Sequence, residues 1–319
     1  MDPPFREDSR GKEDMKILVT GGAGFIGSNV VDAYIEKGYE VVVVDDLSSG
    51  KKENLNKKAK FYNLDICDKA LEEVFNKEGI DIVSHHAAQV DVRKSIDDPA
   101  FDARINIEGS LNILENCRKY KIKKIIFASS GGVIYGECGN LPPNEDSPIS
   151  PISPYGVSKY AMECYLSTYE KIYGLRYTAL RYGNVYGPRQ DPYGEAGVVA
   201  IFSGKMLNNE EVNIFGDGEQ VRDYVYVGDV VKANILCLEN GDNEIFNIGT
   251  SRSTSVNQLF SEMKELTQYS KQAVYKPLRA GELMRSSLDV KKAEQKLGWK
   301  AKVDIREGLK KTIDFFREQ

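Results

Sequence analysis

Residues 153–162, SPYGVSKYAM, combine the start of a helix with two side chains that could exchange a proton. A serine followed by a proline is typical of a helix N-terminus. Tyr155 and Lys159 are four residues apart, so they lie on one face of that helix. A phenol has a pKa of about 10, and a neighbouring ammonium group favours its ionised form. The pair therefore predicts a general base that removes a proton from an alcohol.

The helix that follows Pro154 also has a predicted core side. At about 100° per residue, four residues cluster on one face that we expect to pack on the core: Ala161, Tyr165, Tyr169 and Ile172. Tyr155 and Lys159 lie together roughly a quarter to a third of a turn away from this stripe. Taken alone they would be a surface pair, with the tyrosine packed on the lysine stem. The rest of the chain has to decide between the two interpretations.

A glycine-rich turn, TGGAGFIG at residues 20–27, joins the first predicted strand to the first predicted helix. Glycines at such a turn allow a tight bend and the approach of a pyrophosphate to the helix N-terminus. Asp45 ends the second predicted strand, where a carboxylate accepts hydrogen bonds from the adenosine ribose and repels a 2′-phosphate. Asp46 beside it is expected to be a solvated turn residue. The combination predicts a site for NAD rather than NADP.

With NAD in the site, the tyrosine–lysine pair could take part in the oxidation of an alcohol. Lowering the Tyr155 pKa from about 10 to about 7 takes roughly 4 kcal/mol. We expect the Lys159 ammonium and the positive charge of an oxidised nicotinamide to supply this free energy together. The result is a general base for an alcohol whose carbon gives up a hydride.

Short apolar strands alternate with helical segments in the first part of the chain: KILVT, EVVVVDD, DIVSHHAA, KKIIFASS and RYTALRYG. Strands that are apolar on both faces predict βαβ units and a parallel sheet. We therefore expect an α/β fold of Rossmann type, doubly wound, with a smaller α/β substrate-binding region. The predicted ranges are a disordered leader or tag at 1–14, the NAD-binding domain at 15–183 and a smaller substrate-binding domain at 184–319, with some later segments returning to the main sheet.

The composition is that of an ordinary globular protein, with 41% apolar residues and a net charge of −5. Lys and Arg are spread along the chain and no apolar run is long enough to span a membrane, so we expect neither a nucleic-acid nor a membrane partner. The five cysteines are scattered without a CxxC pair, and the two histidines, His85 and His86, are adjacent. These patterns predict a cytoplasmic location and no metal site.

Seven segments form an ordered set: TGGAGFIG, HHAAQ, FASSGGVIYG, YGVSK, RYGNVYGP, FGDGEQVRDYVYVGDV and FNIGT. From Met15 to near the C-terminus the chain resembles the extended short-chain dehydrogenase/reductase family, and within it the UDP-sugar 4-epimerases. The resemblance implies that Tyr155 and Lys159 are the catalytic pair and that Lys159 also holds the nicotinamide ribose. It implies a serine that hydrogen-bonds the sugar's 4-hydroxyl. Ser130 is the first candidate, and an extra residue before the YG motif leaves Ser129 as an alternative.

The resemblance also implies two sets of cofactor residues. The first set forms the glycine turn and its acidic partner: Gly21, Gly24, Phe25, Ile26, Gly27 and Asp45. The second set would contact the adenine, the pyrophosphate and the riboses: Asp65, Ile66, Ala87, Ala88, Gln89 and Asn106. His86 lies in the same loop, where we expect it to line the site or join the core rather than act as a catalyst.

On the substrate side, the resemblance implies that three residues grip the diphosphate: Asn184, Arg222 and Arg279. Arginine suits that role because its guanidinium group binds oxyanions through two parallel hydrogen bonds. Phe215 matches a position that packs on uracil, and Glu282 matches one that holds the uridine ribose.

The activity implied by the resemblance is a 4-epimerisation. Tyr155 takes the 4-hydroxyl proton, directly or through Ser130, while C4 passes a hydride to NAD. The 4-keto sugar swings about its diphosphate link, and the hydride returns to the other face. NAD is regenerated and needs no external reductant.

Three alternatives remain open at this point. Sugar 4,6-dehydratases carry Asp-Glu, and UDP-glucuronate decarboxylases a glutamate, where this chain has Gly131 and Gly132. Because glycine cannot transfer protons, both reactions are disfavoured. A non-catalytic NAD-binding module is disfavoured because the chain keeps the tyrosine and the lysine.

Sugar specificity is expected to depend on Ser286. Counting from Gly281, this serine matches a position that walls the sugar pocket, where a tyrosine restricts relatives to glucose and galactose. A small residue leaves room for a 2-acetamido group. We therefore predict interconversion of UDP-GlcNAc and UDP-GalNAc, with UDP-glucose and UDP-galactose as further substrates; the alternative is UDP-glucose 4-epimerase activity only. The resemblance also implies a homodimer that forms through the helices near 100–118 and 155–172.

Overall fold

The computed structural model describes residues 15–137, 142–193, 197–278 and 283–318. Within these ranges the strands are β1 Lys16–Thr20, β2 Glu40–Asp45, β3 Lys60–Asn63, β4 Ile82–His85, β5 Lys124–Ser130, β6 Arg176–Tyr182, β7 Asn184–Tyr186, β8 Asn213–Phe215, β9 Val221–Arg222, β10 Tyr224–Tyr226, β11 Glu244–Ile248, β12 Thr254–Ser255, β13 Val274–Lys276 and β14 Arg285–Ser286.

The α-helices are α1 Phe25–Glu36, α2 Leu71–Glu78, α3 Val92–Asp97, α4 Pro99–Ala103, α5 Ser110–Lys119, α6 Gly131–Ile134, α7 Pro154–Tyr173, α8 Val198–Leu207, α9 Val227–Cys237, α10 Val256–Thr267 and α11 Ile305–Arg317. A π-helix, Arg104–Gly109, joins α4 to α5, and a second lies at Ala293–Leu297. None of the described helices has both the length and the apolar character needed to cross a membrane.

The central sheet has seven parallel strands in the order β11-β6-β5-β4-β1-β2-β3. The order reverses between β1 and β4, so the carboxyl ends of these two strands open a crevice there. Residues of β1, β2 and β5 are almost completely buried, because helices cover both faces of the sheet. The predicted doubly wound Rossmann-type fold is confirmed.

Two apolar layers stabilise this sheet. One layer contains residues of α1 and α9 and includes the fully buried Trp299. The other contains residues of α2, α5 and α7. These layers fix the carboxyl edge of the sheet, where the glycine turn, the loop after β4 and the end of β5 lie.

A third apolar cluster gathers α8, α10 and α11 around Tyr186 and Phe260. Short strand pairs border it, among them β13 with β8 and β14 with β9. The chain does return to the main sheet after this region has begun, because β11 pairs with β6 and α9 packs on α1. The predicted boundary at residue 183 stays a prediction.

Helix α7 begins where the sequence predicts, but its core side is different. The Ser153 hydroxyl accepts a hydrogen bond from the Gly156 N–H at 3.1 Å, so it caps the helix. The predicted stripe is wrong at Tyr165 and Ile172, which are 38% and 63% exposed. Polar residues fill much of the sheet-facing side, and the apolar pattern missed them: the buried residues are Gly156, Ser158, Lys159, Met162, Glu163, Leu166 and Tyr169.

Candidate active site

Lys159 is buried between α7 and the end of β5. Its side chain donates a hydrogen bond to the Ala128 carbonyl oxygen at 2.9 Å. Its Nζ atom lies 5.7 Å from the centre of the Tyr155 ring and 4.9 Å from that of Phe127. Burial lowers the pKa of Lys159 to about 8, although Asp102 and Glu163 oppose this change. The predicted pair is therefore an interior pair and not a surface one.

The Ser130 hydroxyl lies near enough to the Tyr155 phenol to lower the pKa of that phenol. Burial nevertheless raises the pKa of Tyr155 above its usual range, and Asp102 acts in the same direction. This direction is opposite to the lowering that the sequence led us to expect. The reason is that desolvation dominates within the protein, while the Lys159 ammonium is held by a carbonyl oxygen.

Ser129 and Ser130 have different surroundings, although they are neighbours on β5. Ser129 is buried and donates a hydrogen bond to Glu163 Oε1 at 2.6 Å. Glu163 also forms a buried ion pair with Arg181, with an Nη2–Oε2 distance of 2.6 Å. Ser130 instead meets Tyr155. The geometry favours Ser130 as the hydroxyl that acts beside the tyrosine.

Gly132 borders the space in front of Ser130. A Cβ atom built on Gly132 would lie 3.8 Å from Ser130 Oγ and Asn184 Oδ1, and 3.9 Å from Ser286 Oγ. Three predicted site residues from distant parts of the chain therefore converge here. Ser286 reaches this place because β14 pairs with β9, which sets Ser286 opposite Arg222.

Asp223 holds this junction together, and sequence reasoning missed it. Its buried carboxylate accepts hydrogen bonds from the N–H groups of Thr250, Ser251 and Leu288. The backbone of Asp223 also accepts from the Asn184 N–H at 2.7 Å and donates to the Ser286 carbonyl at 2.9 Å. The available signal was an acidic residue within the otherwise apolar stretch DYVYV.

Of the other predicted substrate residues, Phe215 lies on β8 opposite Lys276, and the Arg222 guanidinium donates to the Val221 carbonyl at 3.0 Å. Arg279 and Glu282 lie outside the described residues. Their predicted contacts to the nucleotide therefore stay predictions.

The glycine turn is built so that side chains would not fit. Gly21 has a φ of +70°, and a Cβ atom there would lie 2.6 Å from the Ala87 nitrogen. A Cβ atom on Gly27 would lie 2.1 Å from the Gly21 carbonyl oxygen. Gly24 is the N-cap of α1 and supplies no side chain to its first N–H groups. Phe25 and Ile26 form the first turn of the helix.

Asp45 closes this turn from the second strand. Its carboxylate accepts hydrogen bonds from the Ala23 and Leu47 N–H groups, both at 2.9 Å. Burial raises the pKa of Asp45. Asp46 is exposed, as expected, and its side chain accepts hydrogen bonds from Ser48.

Farther along the same edge, Asp65 accepts from the Cys67 N–H at 2.8 Å, and its carboxylate is 3.9 Å from Arg104. Ile66 packs in the core against the backbone of Gly109. Ala87 and Ala88 are half-buried in the loop after β4, and Ala87 faces Gly21.

Gln89 and Asn106 bind each other. The Asn106 side chain accepts from the Gln89 N–H and donates to the Gln89 carbonyl, both at 2.9 Å. The Gln89 side chain turns to the Asp91 backbone and to Asp102. Both residues therefore set the shape of the loop, and their predicted contacts to a cofactor stay predictions.

His85 links β1 to α5 through a hydrogen-bonded chain whose direction is fixed. The Ser110 hydroxyl donates to the Asn106 carbonyl, so it accepts from His85 Nε2 at 2.9 Å. His85 Nδ1 then accepts from the Thr20 hydroxyl at 2.6 Å. Burial lowers the pKa of both His85 and His86 to about 3, so both rings are neutral. His86 Nε2 forms a hydrogen bond with the Ser84 hydroxyl at 2.9 Å, and its expected place as a lining or core residue stays a prediction.

NAD fits this edge of the sheet. The turn leaves no room for side chains where a pyrophosphate would approach, and the first turn of α1 carries no acidic residue. Asp45 ends β2 at the place where an adenosine ribose is bound in such folds. Across the described residues, no group of three or more His, Cys, Asp or Glu side chains is placed to hold a metal ion.

Comparison with known proteins agrees with this geometry. The model of the NAD dependent epimerase/dehydratase family matches residues 17–249. The UDP-glucose 4-epimerase of Thermotoga maritima, solved with UDP-glucose, is 59% identical with a TM-score of 0.94, covering 95% of this chain and 99% of that one. The UDP-glucose 4-epimerase of Thermus thermophilus, solved with NAD, is 44% identical with a TM-score of 0.92 and the same coverage.

A third solved structure is the UDP-N-acetylglucosamine 4-epimerase of Methanobrevibacter ruminantium in complex with UDP-N-acetylmuramic acid. It is 38% identical with a TM-score of 0.91, covering 96% of this chain and 99% of that one. These similarities extend over nearly the whole chain, and the family model covers both the glycine turn and α7. This chain is an enzyme of the NAD dependent epimerase/dehydratase family, within the extended short-chain dehydrogenases/reductases.

Proposed function

We propose that this enzyme is an NAD-dependent 4-epimerase of UDP-hexoses. The observation that carries the proposal is the convergence of Ser130, Asn184 and Ser286 around Gly132, next to Tyr155. A hydroxyl that lies beside a phenol and a buried lysine can bind one sugar hydroxyl and pass its proton on. The high identity to the T. maritima UDP-glucose 4-epimerase supports the same activity.

In this mechanism Tyr155 accepts the proton of the sugar's 4-hydroxyl, through Ser130 or directly. Lys159 supplies positive charge on the same helix face, 5.7 Å from the phenol ring. When bound, NAD would accept the hydride from C4 of the sugar and return it, and its oxidised ring would add positive charge to the site. Asn184, Arg222 and Arg279 hold the diphosphate, so the sugar can turn while the nucleotide stays in place.

Dehydratase and decarboxylase activities are less well supported. A side chain at Gly131 would meet Leu288, since a Cβ atom there would lie 2.7 Å from the leucine methyl groups. Gly132 lies among Ser130, Asn184 and Ser286 and carries no acid or base. Neither position therefore supplies a side chain that could transfer a proton at C5 or C6 of the sugar. A non-catalytic NAD-binding role would leave the placement of Ser130 beside Tyr155 without a purpose.

The second part of the proposal concerns which UDP-sugars the enzyme accepts. The 59% identity to a UDP-glucose 4-epimerase favours UDP-glucose and UDP-galactose. Ser286 favours a wider pocket, because its small side chain borders the same space as Ser130. The similarity to a UDP-N-acetylglucosamine 4-epimerase supports such a pocket. We infer that the enzyme turns over UDP-GlcNAc and UDP-GalNAc as well as the non-acetylated pair.

We further propose a homodimer in the cytoplasm. The outer face of α7 exposes Val157, Tyr160, Tyr165 and Ile172, which is unusual for a helix facing water and suits a second copy of the chain. The four described cysteines, Cys67, Cys117, Cys164 and Cys237, are free thiols, which supports a reducing compartment.

A turnover panel tests the proposed function. Purified enzyme is incubated with UDP-glucose, UDP-galactose, UDP-GlcNAc and UDP-GalNAc, and the epimers are resolved by NMR. We expect each sugar to approach equilibrium with its 4-epimer without added reductant, and denatured enzyme to release NAD. Failure to epimerise any of the four would refute the proposal, and 4-keto-6-deoxy products would show a dehydratase.

A further inference from the structure

Asp102 is a completely buried carboxylate on α4, beneath the catalytic pair. It accepts hydrogen bonds from Gln89 Nε2 at 2.9 Å, Asn106 Nδ2 at 3.0 Å and Ser158 Oγ at 2.5 Å. These donors belong to the loop after β4, the π-helix and the first turns of α7. The Asp102 side chain therefore joins α4 to the loop after β4, to the π-helix and to α7, the helix that carries Tyr155 and Lys159.

The three donors are neutral, so they do not balance the charge of the carboxylate. A buried carboxylate is costly unless a positive group lies nearby. Lys159 is the adjacent residue to Ser158, is also buried, and donates its own hydrogen bond to a neutral carbonyl oxygen. Asp102 raises the pKa of both Lys159 and Tyr155, so its field reaches both.

Other groups that face Lys159 cannot replace this charge. Glu163, one turn along α7, also raises the pKa of Lys159, but it is already paired with Arg181. His85 and His86 at the end of β4 are neutral near pH 7. Asp102 is thus the carboxylate available to balance the lysine.

We propose that Asp102 is a positioning residue for the reaction, whose charge keeps Lys159 protonated and whose hydrogen bonds align α7 with the cofactor loop. The kinetic part of this inference rests on the proposed epimerase function. The electrostatic part concerns Lys159 alone and does not depend on which sugar is turned over.

The test removes the charge and keeps the shape. In Asp102→Asn the amide oxygen can accept from Gln89 and Asn106, and the amide nitrogen can donate to Ser158. Without the negative charge, the ammonium of Lys159 and the neutral phenol of Tyr155 both become less favourable. Both pKa values therefore fall, by about one unit for a unit charge several ångströms away at an effective dielectric constant of about 20.

Two measurements report this change. In enzyme labelled with ¹³C-lysine, the Cε resonance that disappears in Lys159→Met is followed against pH; we expect the wild type to titrate near 8 and Asp102→Asn about one unit lower. In the pH profile of kcat/KM for UDP-galactose, both limbs should move about one unit toward acid. Should Asp102→Asn not fold, Asp102→Ser is neutral, leaves room for a water molecule and is measured in the same way.

Ser158→Ala is the matched control, because it removes one hydrogen bond and keeps the carboxylate. The two limbs of the pH profile of kcat/KM for Ser158→Ala should stay at the wild-type pH values even if the activity of this variant falls. The proposal is overturned if Lys159 titrates at the same pH in the wild type and in Asp102→Asn. It is also overturned if the neutral variants at position 102 lose activity while both limbs of their pH profile stay at the wild-type pH values. If no sugar is turned over, the epimerase proposal fails while the lysine titration still decides this one.

Discussion

In the proposed mechanism the Tyr155 phenol must lose its proton before it can act as a base, and the protein around it opposes that loss. Burial and the nearby Asp102 both raise its pKa, and Ser130 is the one contributing residue that lowers it. The tyrosine is therefore neutral in the protein alone near pH 7. A base of this kind becomes effective only when positive charge approaches, which couples proton removal to a loaded site.

Removing the phenol tests this role directly. We expect Tyr155→Phe to fold normally and to lower kcat for UDP-galactose by about 10²- to 10⁴-fold, because the ring is kept and only the general base is lost. Tyr120→Phe is the control, since this phenol binds Glu72 at the surface. Wild-type turnover by Tyr155→Phe would remove the tyrosine from the mechanism.

Ser286 can be tested by filling the space in front of it. We expect Ser286→Tyr to abolish turnover of UDP-GlcNAc, because the ring would overpack a pocket in which Ser286 Oγ is 3.9 Å from a Cβ position on Gly132. Turnover of UDP-galactose should remain. Ser286→Ala should keep both substrates, and equal loss of both in Ser286→Tyr would contradict a specificity role.

At the scale of elements, α7 carries two different faces. The inner face carries Lys159 and Glu163 with their partners, and the outer face carries aromatic and aliphatic residues exposed in the single chain. Sequence periodicity detected the helix and its start at Pro154. It placed Tyr165 and Ile172 in the core because exposed apolar residues on a helix can have the same spacing as those in a core.

A charge on the outer face should separate the proposed dimer. We expect the double variant Tyr165→Glu with Ile172→Glu to elute as a monomer in size-exclusion chromatography with light scattering at micromolar concentration, because two carboxylates would be buried at the interface. Tyr275→Glu, on an exposed tyrosine of β13, should stay dimeric. A monomeric wild type would refute the dimer outright.

At the scale of the whole molecule, the buried histidines make stability depend on pH. The pKa of His85 is about 3 in the folded state and 6.5 as its ordinary value. The unfolded chain therefore binds a proton at His85 more tightly than the folded protein does. The stabilisation is complete above about pH 6.5 and is lost as the pH falls toward 3, at up to about 1.4 kcal/mol per pH unit.

Replacing the ring should flatten this dependence. We expect His85→Gln to be less stable than the wild type at pH 7.5 by about 1 kcal/mol, because one hydrogen bond of the chain from Thr20 to Ser110 is lost. The difference between the two free energies of unfolding in urea should shrink as the pH falls below about 6.5 and should reverse its sign by about pH 4.5, because the wild type alone loses the contribution of the His85 ring. A difference that stays constant over this range would show that His85 does not titrate on unfolding.

Much of this architecture could be predicted from the sequence, because apolar strands, a glycine turn and a helix start are local signals. The convergence of Ser130, Asn184 and Ser286 depends on pairings between distant segments, and only the family resemblance pointed to it. Asp102, Ser158 and Asp223 were missed, since a buried polar residue with partners looks in sequence like an exposed one. These three residues could be identified only from the hydrogen bonds that they form in the three-dimensional structure.

The central claim is that C4 of the sugar is oxidised and reduced again within one site. The most direct measurement follows UDP-galactose that carries deuterium at C4, with NMR detection of the product. We predict UDP-glucose that keeps the deuterium at C4, with none exchanged into solvent and no reductant consumed. Loss of the label to water, or a product that is not the 4-epimer, would contradict the account.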